Sequence, residues 1–334
     1  MKKYEKQIKQ IVKYLMISLC IAVFFLVLLP ALFVTIVHQE PLVRAPGHIN
    51  PNRVATPDTI YVFRAAHGVV EILDFEEYIK GVLAGEMPAS FEMEALKAQA
   101  VAARTYAFSR VRRGSHNTHP LASLCDTTHC QVYRSIFELE QIHPSQWFET
   151  GWPRIVQAVN ETRGQMMYFE GELVSQALFH SSSGGQTENS EDVFVSAVPY
   201  LRSVYSPHEG DVHRDEQTII SVSSFADALN RRFPSNPTGS VSNSNIQILS
   251  RSQGGRVDRI QVGNATFAGT EIRSALALRS ANFTLDMDGN MITITTSGFG
   301  HGVGMSQHGA NGMAKQGYNY RQILAHFYNG VDVF

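Results

Sequence analysis

Positive charge is scarce where a nucleic-acid partner would need it. The 334 residues carry 28 Lys and Arg against 30 Asp and Glu, and residues 39–334 keep 23 of the former and 29 of the latter, a net −6. No excess of cations is there to gather phosphates, so DNA and RNA are excluded as partners. Sugars stay open, because hydrogen bonds and stacking recognise them more than charge does. Cysteine is nearly absent. Of three, Cys20 falls in an apolar run, which leaves Cys125 and Cys130 as the one possible disulfide. No Gly-x-Ser-x-Gly elbow is present, so a hydrolase serine nucleophile is rejected. The glycine-rich stretch near the C-terminus lacks the Lys-Ser/Thr end of a phosphate loop. There is no internal repeat and no βαβ rhythm, which argues for an α+β fold with mainly antiparallel strands.

Charge is missing altogether from residues 14–37, a run of 24. As a helix rising ~1.5 Å per residue it reaches ~36 Å, enough for ~30 Å of hydrocarbon with some tilt. Five lysines within residues 1–13 precede it, and the next basic residue is Arg44. By the positive-inside rule residues 1–13 are a cytoplasmic tail, 14–37 a single transmembrane helix, and the rest extracytoplasmic. A cleaved signal peptide is the rival reading, but it wants a shorter apolar region and a small-x-small site. The run here ends Val34-Thr35-Ile36-Val37-His38, and an uncleaved anchor is expected.

Residues 38–58 hold four prolines and read as an extended linker. A hairpin is expected over 59–64 and 69–73. Asp74 with Glu77 forms a capping signature for a helix over 75–84. Gly85 is expected to break that helix, leaving Glu86 in a connector and Ser90 to cap a long helix over 92–113. Residues 114–150 look like an irregular insertion. A helix over 153–163 and a hairpin over 165–169 and 172–180 follow. Farther on come a helix over 223–232, strands over 245–250, 257–262, 283–286 and 291–296, and a helix over 270–278. Nothing marks a break within 59–334, so one elaborated domain with a long central helix and a substrate groove is expected.

Four constellations carry chemistry. Glu86, flanked by Leu83, Met87, Pro88 and Phe91, has the apolar setting that lifts a carboxyl toward working pH and makes it a general acid. The plain alternative is a helix-end carboxylate paired with Arg104. Lys97 and Arg104 stand seven residues apart on one helix face, with Val101 and Phe108 in the same stripe. The segment His180-Ser181-Ser182-Ser183-Gly184-Gly185-Gln186-Thr187 ends a strand and offers hydroxyls and amides, though such loops are commonly only loops. Gly300-His301-Gly302-Val303-Gly304-Met305-Ser306-Gln307 lets backbone come close to a ligand. Finally, His119, Cys125, His129 and Cys130 lie within twelve residues, with His116 and His143 to spare. They suit a tetrahedral zinc site, or the cysteines form a disulfide. Both readings stand on sequence alone.

Five blocks in order resemble the stage II sporulation protein D family, related to the amidase enhancers. They are Val82 to Pro88, Ala95 to Tyr106, His180 to Thr187, Val198-Pro199-Tyr200-Leu201, and Gly298 to Gln307. The resemblance covers about residues 58–334. It implies a peptidoglycan lytic transglycosylase of forespore engulfment, anchored in the mother-cell membrane at the septum. Such an enzyme cuts the β-1,4 bond between N-acetylmuramic acid and N-acetylglucosamine in strands stripped of peptides. The family's partners are a cell-wall amidase and a second engulfment membrane protein. The resemblance makes Glu86 the catalytic acid, with Lys97, Arg104, Ser182, Thr187, Tyr200, His301 and Gln307 as substrate-binding or supporting residues. It also implies structural zinc on His119, Cys125, His129 and Cys130. A non-enzymatic, glycan-binding activator of an amidase is the alternative function.

Overall fold

The computed structural model describes residues 16, 54–114, 119, 121–206 and 208–334. The expected tail at 1–13, the span at 14–37 except Met16, and the linker up to residue 53 lie outside the described residues. Among the described residues no helix is long and apolar enough to cross a membrane.

The architecture is α+β. Strands β1 (Thr59–Arg64) and β2 (Val69–Asp74) form the expected antiparallel hairpin. Helix α1 (Phe75–Glu86) starts where Asp74 accepts the N–H groups of Glu76 and Glu77, both at 2.9 Å. Gly85 does not break it. The helix ends because Pro88 drives the preceding residue out of helical geometry, and Met87 is extended at φ −137°, ψ 134°. Glu86 is therefore the last helical residue, not a connector residue.

Helix α2 (Met93–Arg113) is the central element. Alanine dominates it, and its buried residues run right round the helix from Ala95 to Ser109. A helix apolar on all sides belongs in a core. It packs against α1, α4 (Ser145–Glu161), α8 (Gln307–Lys315) and α9 (Tyr320–Phe327). Ser90 does not cap α2. The N-cap is Glu92, and its own N–H donates to Asn311 of α8 at 2.8 Å. A tertiary contact has taken the place of a local cap.

The 114–150 insertion is more regular than expected. It contains β3 (Leu124–Cys125), parallel to β1, then α3 (Ile136–Ile142) with a Ser135/Glu138 capping box, then the first turn and more of α4. Pro153 suggested a helix start because proline suits the first turn, yet it lies inside α4. Strands β4 (Met167–Phe169) and β5 (Glu172–Leu173) turn at Glu170-Gly171, both at positive φ, and β14 (Val331–Val333) completes their sheet. The second arm stops at Leu173. Residues Phe179–His180 form β6, which pairs in parallel with β13 (Met305–Ser306).

Past the single-turn helix α5 (Ser190–Val193), residues 216–296 gather a second apolar cluster. The sheet β11-β12-β7 (Phe283–Asp288, Met291–Thr296, Glu216–Ser221) and the sheet β10-β9-β8 (Ala265–Ala268, Val257–Val262, Ile246–Arg251) pack with α6 (Val222–Arg232) and α7 (Gly269–Leu276). Phe225, Leu229, Ile260, Phe267, Phe283 and Ile294 fill it. The buried apolar residues thus gather in two clusters, the second within the span between β6 and β13.

Candidate active site

Glu86 is half-buried at the C-terminus of α1, and one backbone donor reaches it: Val132 N–H, 2.5 Å from Oε1. Burial raises its pKa from 4.5 to about 7, outweighing the lowering by Val132 and by the nearby Gln307 amide. The Gln307 amide lies close without a full hydrogen bond, since its buried Nε2 has no partner. Burial therefore wins over hydrogen bonding, and the carboxyl holds its proton near neutrality.

Linkage gives this a sign. The unfolded chain ionises Glu86 at an ordinary carboxyl pKa, the folded chain only near 7. Stability is therefore lost as pH rises through that window and stays lost above it. Glu86→Gln should raise the unfolding temperature at pH 8 and leave it unchanged at pH 4, as thermal scans at both pH values would show. A lower unfolding temperature at pH 8 would mean that the carboxylate is a structural asset.

A groove of about 620 Å³ opens beside Glu86, within the usual range of ligand sites. Met87, Pro88 and Ala89 after α1 line it together with Ile142, His143, Trp147 and Gly151 of the insertion and α4. The His143 and Trp147 rings stack face to face, their centroids 4.0 Å apart and their planes 5° from parallel. Gly151 permits this, because a Cβ there would sit 2.5 Å from the indole Nε1. Arg154 donates to the carbonyls of Ala89 and Phe91 at 2.8 and 2.7 Å and pins the segment after α1 to α4. Glu86 is the sole acid lining the groove among the described residues.

Of the supporting residues expected, Gln307 is the one that lies near Glu86. Arg104 is fully buried and makes a bidentate pair with Glu76 at 2.7–3.2 Å, so the alternative Glu86–Arg104 pairing is not formed and Arg104 presents no surface to a substrate. Lys97 pairs with Glu94 at 2.8 Å and Glu161 at 2.7 Å. Tyr200 is buried, with its hydroxyl bonded to the Ser175 and Gln176 N–H groups at 3.1 Å. Ser182 and Thr187 have no exposed surface. His301 packs between His180 and Phe194, and burial lowers its pKa to about 4, so it is neutral.

Two residues that sequence reasoning missed shape this region. Buried Glu209 accepts Ser183 and Gly184 N–H at 3.0 Å and the hydroxyls of Ser206 and Ser306 at 2.9 and 2.5 Å. It clamps the 180–187 loop to β13. Buried Arg256 bonds Glu188 at 3.2 Å and the Ser183 carbonyl at 2.9 Å. Neither sits in a motif. Trp147 was hidden because the insertion read as irregular.

The family model for stage II sporulation protein matches residues 64–169. Stage II sporulation protein D of Bacillus amyloliquefaciens is 36% identical over 336 residues, covering 96% of this chain and 94% of the relative. That of Bacillus subtilis is 39% identical over 285 residues, 84% of this chain and 80% of the relative. This chain belongs to the stage II sporulation protein D family. It is also similar to an amidase enhancer of Bacillus subtilis, 28% identical over 307 residues, 76% of this chain but 40% of that protein.

The stretch matching the family model contains Glu86, Trp147 and the Cys/His cluster. One donor atom from each of His119, Cys125, His129 and Cys130 lies within 4.8 Å of the others. Donors about 2.0–2.3 Å from a shared zinc ion stand roughly 3.3–3.8 Å apart in a tetrahedron, so the four need close only slightly. His119 Nδ1 faces the Ala122 carbonyl at 2.9 Å, which turns Nε2 toward the cluster. The cysteines are not bridged. The hydrogen bond with Cys130 pulls Cys125 down to about 4, and the same partner pushes Cys130 upward. Two soft donors and two imidazoles at this spacing fit zinc.

Proposed function

We propose that this member of the family is a lytic transglycosylase acting on peptide-stripped peptidoglycan glycan strands during forespore engulfment. One observation carries the reading: a carboxyl, held protonated near neutral pH and the sole acid among the described residues lining its groove, beside a stacked His143–Trp147 pair. Hydrolysis of a glycosidic bond commonly uses two carboxyls. A transglycosylase manages with one. Protonated Glu86 donates to the glycosidic oxygen as the bond to C1 breaks. The carboxylate then takes the proton of the same sugar's 6-hydroxyl as that oxygen bonds to C1, closing a 1,6-anhydro ring. The attack is intramolecular, so neither water nor a protein nucleophile is required. A sugar ring can lay its apolar face on the outer face of the stacked His143–Trp147 pair, and the Gln307 amide lies near the acid.

Since the acid must carry its proton, kcat/KM should fall as pH rises through about 7. A pH–rate profile on stripped strands checks this, and a fall beginning near pH 4.5 would contradict it. The reading includes residues 14–37 as an anchor in the mother-cell membrane, with the groove outside. It also includes zinc on the Cys/His cluster, which would tie the insertion together structurally. Purified protein should contain about one zinc per chain, and Cys125→Ser should lose it. Metal-free protein with a Cys125–Cys130 bridge would overturn that part.

The likeness to a protein named an amidase enhancer favours a second reading, a glycan-binding activator of a partner amidase. Incubating stripped strands with this protein alone separates the two, because an activator leaves them whole. A second membrane protein of engulfment belongs to the proposal as a partner.

A further inference from the structure

We propose that residues 131–134 act as a positioning strap that sets the Glu86 carboxyl, with Gly81 and Gly85 as its seat. The proposal rests on the catalytic reading of Glu86. Tyr78, Gly81 and Gly85 lie three and four residues apart, hence on one face of α1. The strap runs along that face. Gln131 Nε2 donates to the Tyr78 hydroxyl at 3.0 Å, and the Tyr133 ring stacks on Tyr78 at 5.3 Å. Arg134 N–H donates to the Gly81 carbonyl at 3.2 Å. Between them Val132 N–H meets Glu86 Oε1 at 2.5 Å. The strap's N-terminal end is tied by Cys130 N–H to the Thr127 carbonyl at 3.0 Å, and Tyr133 N–H donates to the Asp126 carbonyl at 3.3 Å.

Both glycines are helical and neither has positive φ. Glycine inside a helix is a loss relative to alanine, so their reason is space. A Cβ at Gly81 would meet the Tyr133 ring at 2.4 Å and the Arg134 carbonyl oxygen at 2.5 Å. At Gly85 it would meet the Val132 carbonyl oxygen at 3.1 Å and Val132 Cγ1 at 3.2 Å. The strap can come close enough to reach Glu86 only over bare backbone. The consequence is chemical. Oε1 accepts from Val132, so the acid's proton belongs on Oε2. A main-chain amide thereby fixes both the orientation of the carboxyl and the oxygen that delivers the proton. Sequence gave no hint of it, since any residue but proline supplies an N–H.

The test is Gly81→Ala and Gly85→Ala in the full chain, read by carbon-13 NMR titration of the Glu86 side-chain carboxyl and by the pH–rate profile. Alanine favours the helix, so the folded state should survive. Moving the strap weakens the donor to the carboxylate, and the Glu86 midpoint should rise above that of the unaltered protein. The pH at which kcat/KM falls should rise with it, while kcat drops roughly tenfold as the carboxyl loses its orientation. Val132→Pro, which deletes the donor, should raise the midpoint at least as far and serves if an alanine variant does not fold. An unmoved midpoint in folded variants of a protein that cleaves glycan overturns the strap. A raised midpoint in a protein that never cleaves glycan keeps the strap and removes the catalytic reading.

Discussion

Glu86→Gln should bind stripped glycan strands as well as the unaltered protein does and cleave them about 10²–10⁴ times more slowly. The size follows from what the amide keeps and loses. Its oxygen can still accept Val132 N–H at the position of Oε1, so the groove walls and the strap stay in place. It has no proton to give at pH 7, whereas the carboxyl, with a pKa of about 7, is half protonated there. KM should therefore hold while kcat falls. The variant should also be the more stable protein at alkaline pH, since no ionised group remains at that half-buried site. A residue whose removal stabilises the fold and stops the reaction is held for chemistry. Anhydro-sugar release by Glu86→Gln at the normal rate would end the assignment.

Arg104→Met should cost about 3–5 kcal/mol of stability, the usual penalty for breaking a buried pair by removing one partner. Arg104 is 0% exposed and Glu76 5%. Without the guanidinium, Glu76 keeps only a weak donor, Gly164 N–H at 3.2 Å. The carbonyls of Val159 and Gln165, now reached by Arg104 at 3.3 and 3.2 Å, lose that partner as well. Domain stabilities run about 5–15 kcal/mol, so the loss is a large share of the total. Urea unfolding measures it. Well below the unfolding transition, the pH at which the rate falls should not move, because Arg104 does not touch Glu86. Adding Glu76→Gln should recover much of the loss by removing the orphaned charge. A variant with native stability and no activity would return Arg104 to the substrate.

Local chemistry made part of this legible in advance. The β1–β2 hairpin, the Asp74 cap, the Glu170-Gly171 turn and strands 257–262 and 291–296 are set by alternation and turn residues, and they appear where expected. The half-buried setting of Glu86 was readable from its apolar flanks. The four Cys/His residues were readable from their spacing, since all lie on one short segment. The failures are long-range. Lys97 and Arg104 stand out as cations on a helix face, but only the packing of α1 and α4 shows that Glu76 and Glu161 answer them. Gln307 comes near Glu86 because β6 and β13 pair in parallel across more than a hundred residues, and two-residue strands leave no periodic trace. The second apolar cluster leaves no sequence mark for a related reason. Its strand Glu216–Ser221 adds to a hairpin seventy residues later, and no linker composition marks its edges.

The fate of the glycosidic bond separates the two activities, and the label on the new chain end reads it most directly. Peptide-stripped strands are incubated with the protein in water enriched in heavy oxygen, and the products are weighed by mass spectrometry. If Glu86 works alone by turning the sugar's own hydroxyl on C1, every new muramyl end is one water lighter than a hydrolytic end and carries no heavy oxygen. Muramyl ends that carry the label, or strands that remain intact at pH values where Glu86 is protonated, would contradict the account.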